Sequence, residues 1–125
     1  LASPAIYLLS VGPLFDDVSG YGGEYLPFNY GDSKEVLIRS PIHWLHTIKS
    51  PTFVLEGDDG NISSLNAMKQ HSKNAQVHFI TARGTDHFGI LAPTNQLLAQ
   101  KVKADNGPTP NLTVTEEEVN RLFGR

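Results

Sequence analysis

No cysteine occurs anywhere in the 125 residues, which excludes a disulfide framework, thiolate zinc sites, iron–sulfur clusters and a cysteine nucleophile. Neither sign of charge dominates: ten Lys and Arg stand against thirteen Asp and Glu, evenly scattered. A formal charge of -3 spread in this way leaves no electrostatic footprint for nucleic acid. Long apolar runs are missing too. The longest stretch without a charged side chain, Leu1–Phe15, is broken by Pro4, Gly12 and Pro13, whereas a bilayer-spanning helix needs about 20 apolar residues, so no membrane partner is expected. The chain shows neither the basic leader nor the small-residue cleavage site of a secretory signal, so a cytoplasmic setting is expected. Internal repeats and low-complexity tracts are absent. What remains is a mildly acidic globular chain of the size that buries one core. It opens on Leu1 and enters an apolar run within a few residues, which fits either a processed start or the loss of a preceding piece.

Three short runs rich in β-branched and aromatic residues read as strands: Ala5–Val11, Thr52–Glu56 and Val77–Thr81, each followed closely by Gly or Gly-Pro. The first two are almost continuously apolar, as befits strands covered on both faces in a parallel sheet. Helical spacing predicts a helix over Asn61–His71, where Ile62, Leu65 and Met68 share a face and Ser63 or Ser64 is the N-cap candidate. A second helix is predicted over Thr94–Ala104, stopped by Asn106-Gly107-Pro108, and a third over Ser40–Ile48 with Pro41 in its first turn. A last short helix starts at Thr115, where Glu116, Glu117 and Glu118 suit the positive end of the helix dipole. This alternation predicts an α/β fold of three layers, with a short parallel sheet of about three strands and flanking helices. Residues 1–104 form the domain, and 105–125 a polar linker with a loosely docked C-terminal helix. The segment Asp16–Asp32 alternates glycines with Tyr21, Tyr25, Phe28 and Tyr30, and reads either as a self-packed surface loop or as a lid near a ligand.

Ligands of open parallel sheets sit beyond the carboxyl ends of the strands. That rule selects the turn containing Asp58 and Asp59 and the turn containing His87. An acid after one strand and a histidine after the next are two members of a Ser-His-Asp arrangement. The plainer reading of Asp58-Asp59-Gly60-Asn61 is a turn that starts a helix, and of His87 a loop residue stacked near Phe88. His43 and His46 flank Trp44 at three-residue spacing, but no third ligand can be named, so no metal and no other cofactor is expected.

The stretch Pro51-Thr52-Phe53-Val54-Leu55-Glu56-Gly57-Asp58-Asp59-Gly60-Asn61 resembles the acid strand and loop of α/β-hydrolases, especially the prolyl-oligopeptidase and dienelactone-hydrolase-like branch. Gly84-Thr85-Asp86-His87-Phe88 is similar to that family's histidine loop, and Ser40-Pro41-Ile42-His43-Trp44-Leu45 to the helix leading into the acid strand. Leu9-Ser10-Val11-Gly12-Pro13 is similar to the strand after the nucleophile helix. The resemblance spans residues 1–104 and implies the C-terminal half of a serine hydrolase that cleaves ester or peptide-like bonds. In it His87 is the general base, and Asp59 or Asp58 orients it. Tyr21, Tyr25 and Phe88 are the candidate substrate-binding residues.

No Gly-x-Ser-x-Gly elbow is present: Ser10 has Gly12 after it but Leu8 before it, inside a strand. Without the strained turn a hydroxyl is neither exposed nor set beside oxyanion-hole amides. The chain is therefore expected to be inactive alone. The alternative is a non-catalytic α/β domain serving binding or assembly. In either case Ala5–Val11 would be an apolar sheet edge, covered by the missing N-terminal half or by a second copy across a two-fold axis.

Overall fold

The computed structural model describes residues 26–29, 31–109 and 111–125. Their order is helix α1 (Ser33–Arg39), two single 3₁₀ turns (Pro41–His43 and Leu45–Thr47), strand β1 (Thr52–Gly57), helix α2 (Ile62–His71), strand β2 (Val77–Ala82), helix α3 (Leu91–Ala104) and helix α4 (Glu116–Arg121). The described residues thus form a mixed α/β structure whose sheet is a parallel pair, β1 beside β2. The predicted second and third strands are β1 and β2; the first, Ala5–Val11, lies outside the described residues. The register is fixed at both ends, since Thr52 N–H donates to Gln76 O at 2.8 Å and Asp58 N–H to Ala82 O at 2.9 Å.

Two compact units divide the chain midway along both strands. The first holds the described residues up to Val54 together with Ser63–Phe79; the second holds Leu55–Ile62 and Ile80–Arg125. In the first unit Ile42, Leu45 and Val77 are buried, with Ile48, Val54, Ala67, Met68 and Phe79 packed against them. Leu65, on the apolar face of α2, is 2% exposed, a burial that stabilises by about 2 kcal/mol. Asn74 fixes the chain entering β1, since its amide donates to Leu45 O at 2.7 Å and Ile48 O at 2.9 Å. Its carbonyl oxygen accepts from Gln76 N–H, where β2 begins.

The expected helix over residues 40–48 is instead the pair of 3₁₀ turns. Ile42, Leu45 and Ile48 recur every three residues, which is the 3₁₀ period rather than the α-helical one. Helix α2 starts at Ile62, so Ser63 and Ser64 fall in its first turn instead of capping it. Helix α1 is not among the helices that apolar spacing predicts. Its signal was local: Asp32 accepts from Lys34 and Glu35 N–H as an N-cap, and Glu35 pairs with Arg39 one turn on at 2.9 Å.

In the second unit Ile80, Ala82, Ile90, Val114 and Val119 are buried. Helix α4 begins where expected, at a Thr115 capping box closed by Glu118. It is packed rather than loosely docked: Val119 is 0% exposed, and Lys101 of α3 donates to Glu118 at 2.6 Å. Among the described residues no helix is long and apolar enough to cross a membrane.

Candidate active site

Glu56 is the second-last residue of β1 and carries a full carboxylate into a position only 8% exposed. A buried charge needs partners, and this one has two. Oε2 lies 2.9 Å from His87 Nδ1, and Oε1 accepts from Gly57 N–H at 3.0 Å. His87 sits five residues beyond the end of β2, in the turn leading to α3, and its side chain is 40% exposed. The acid thus comes from the carboxyl end of one parallel strand and the histidine from the loop after the next.

The loop that presents His87 is held almost residue by residue. Arg83 N–H donates to Asn120 Oδ1 at 2.8 Å, and Gly84 N–H to Asp58 Oδ1 at 2.7 Å. Thr85 O accepts from Asp59 N–H at 3.1 Å. Asp86 Oδ1 then accepts from both Phe88 and Gly89 N–H, closing the turn into α3. The loop turns at Gly84, whose φ of 77° is left-handed backbone that glycine adopts without strain. The acid loop closes tightly on it at Gly60. A Cβ there would stand 2.5 Å from Glu56 Oε1 and 2.8 Å from His87 N.

Protonation states follow from donor and acceptor types. An ionised carboxylate only accepts, so the proton between the two groups belongs to His87 Nδ1. The neutral ring then keeps its lone pair on Nε2, which has no hydrogen-bond partner among the described residues. Phe88 meets the imidazole edge-on, with ring centroids 5.1 Å apart and planes at 78°, and is itself 62% exposed. Such a ring can take a proton at Nε2 and return it, while Glu56 stabilises the imidazolium formed in between.

The structure therefore joins His87 to Glu56, not to either aspartate expected from the acid loop. Asp58 is exposed and spends its side chain on Gly84 N–H. Asp59 is exposed, and its side chain makes no hydrogen bond among the described residues. Phe88 stands beside the imidazole, whereas Tyr21 and Tyr25 lie outside the described residues. Glu56 had its own signal in the sequence, a lone charge inside an apolar strand. Asn120, which holds Arg83, lies among charged neighbours on α4 that disguise it.

Among the described residues no group of three His, Asp or Glu side chains could hold a metal ion. The chain matches no family model, no curated protein and no solved structure.

Proposed function

We propose that the chain supplies the acid–base half of a serine-hydrolase-type site, with His87 as general base and Glu56 as the carboxylate that orients it. The observation that carries this reading is the 2.9 Å contact between the buried Glu56 carboxylate and His87 Nδ1, at the carboxyl ends of two parallel strands. In the proposed reaction His87 Nε2 removes the proton of a hydroxyl as its oxygen bonds to the carbonyl carbon of an ester or peptide-like substrate. The imidazolium, held by Glu56, then gives that proton to the departing alcohol or amine. Water repeats the cycle on the acyl intermediate. With no Gly-x-Ser-x-Gly elbow in the sequence, the nucleophile and its oxyanion hole belong to another polypeptide segment, as in a partial α/β-hydrolase fold in a cytoplasmic setting. The partner meets this chain along Ala5–Val11, either as the N-terminal half or as a second copy.

The test uses an activated ester, because p-nitrophenyl acetate reports on a basic imidazole without needing an acyl-serine. The full chain should release p-nitrophenolate at least about tenfold faster than His87→Ala, a small part of what general base catalysis provides in a complete site. A fluorophosphonate should leave its intact mass unchanged. Equal rates for wild type and His87→Ala would overturn the base assignment, and an adduct on the lone chain would place the nucleophile within it.

A further inference from the structure

We infer that Asn120 of the C-terminal helix is a positioning residue for His87, acting through the loop it anchors. The inference rests on the proton-transfer reading of His87 and adds α4 to that site. Asn120 is 8% exposed, and its whole amide is engaged. Its Nδ2 donates to Thr81 O at 3.2 Å and to Glu116 O at 2.9 Å, while Oδ1 accepts from Arg83 N–H at 2.8 Å. The side chain thus grips the second-last residue of β2 and the first residue of the loop, four positions before His87. From there each backbone hold follows the last: Asp58 takes Gly84 N–H and Asp59 N–H takes Thr85 O.

Asp58 and Asp59 hold the loop from the side of β1, and Asn120 holds it from the side of α4. Losing Asn120 leaves Arg83 N–H without its partner and frees the loop to pivot about Gly84, where the left-handed backbone already departs from the strand. His87 Nδ1 reaches Glu56 only when the loop is closed, since 2.9 Å leaves little latitude for a hydrogen bond. Packing of α4 by itself does not require this amide. Val119 and the capping box of Thr115 and Glu118 dock the helix at other positions.

Nitrogen-15 NMR of the histidine side chains in the full chain provides the test, because a merely structural role for Asn120 would not alter the tautomer of one imidazole. Wild type should show a single His87 tautomer, with a protected Nδ1–H. Asn120→Ala should lose that resonance or broaden it into a mixture of tautomers. Glu118→Ala, which loosens the same helix without touching Arg83, should keep it. Retention in Asn120→Ala, or equal loss in both variants, overturns the inference. Absence of the resonance in wild type means instead that the His87–Glu56 pair itself fails, and the positioning role with it. If Asn120→Ala does not fold, hydrogen exchange on the wild-type chain decides. The Arg83 amide should exchange at least about tenfold more slowly than an unstructured peptide, and free exchange there removes the contact on which the inference stands.

Discussion

Glu56 is the residue whose replacement reads most directly on both stability and chemistry. Glu56→Ala removes two hydrogen bonds to a carboxylate that is 8% exposed. The bond from His87 is charge-assisted, worth about 1.5–3 kcal/mol, but the ring is 40% exposed, so water replaces part of it and the low end applies. Gly57 N–H is buried and loses its side-chain acceptor, which costs about 1–3 kcal/mol. Together these predict a loss of about 2.5–4.5 kcal/mol, measured by urea unfolding with an unchanged denaturant slope. Glu56→Gln separates the two roles. The amide has one oxygen for two donors, so if that oxygen stays with Gly57 N–H its NH₂ faces His87 Nδ1. The imidazole must then offer a lone pair there and carry its proton on Nε2. The predicted outcome is a loss of only about 1 kcal/mol, accompanied by a switch of the His87 tautomer and disappearance of the His87-dependent ester hydrolysis. Glu56→Ala as stable as wild type within about 0.5 kcal/mol, or an unchanged tautomer in Glu56→Gln, would refute the argument.

Three further outcomes follow from other contacts. Gly60→Ala drives a methyl to 2.5 Å from Glu56 Oε1 and 2.8 Å from His87 N; overpacking of this kind costs about 1–3 kcal/mol, visible as a lower urea midpoint, and should displace the His87 resonances. Asn74→Ala removes two bonds to the 3₁₀ segment and one to Gln76, for an expected loss of about 2 kcal/mol in thermal unfolding. The bond from Lys101, reinforced by Thr115 N–H, pulls the Glu118 carboxyl below its usual range. A depressed folded-state value means the stabilisation is present above the unfolded-state pKa, about 4.3, and is lost as pH falls through the lower folded one. Acid titration of stability should therefore be less steep in Lys101→Ala than in wild type below about pH 4.

Much of the described fold was legible because neighbouring residues carried it. Both strands announced themselves as β-branched runs ended by breakers, α2 by its threefold apolar spacing, and α4 by Thr115 followed by three glutamates. Reading failed where the decisive partner was distant in sequence. The apolar repeat of Ile42, Leu45 and Ile48 suits an α-helical face and a 3₁₀ turn alike, and the segment is fixed by Asn74, 26 positions beyond Ile48. Asp58 and Asp59 looked like the acid because they follow the strand, where site residues usually lie. Yet they serve the backbone of the facing loop, and the histidine takes the carboxylate from within the strand. A glutamate flanked by Leu55 and Gly57 at a sheet end carries its own hint, since a charge is seldom buried there without a partner. Asn120 offered no comparable cue, because an asparagine in Glu-Glu-Glu-Val-Asn-Arg is indistinguishable from an ordinary solvated face.

The grip of Asn120 on β2 also bears on how the sheet ends. Carbonyls of Gln76 and Ala82 point at β1, so by the alternation of a strand Thr81 O and Arg83 N–H point to the opposite edge. An incoming strand would use just that pair, one acceptor and one donor two residues apart. The Asn120 amide presents the complementary donor and acceptor and occupies both. At the carboxyl end of β2 a single side chain thus stands in for a neighbouring strand. Sheet growth is stopped there by a group that cannot itself be extended.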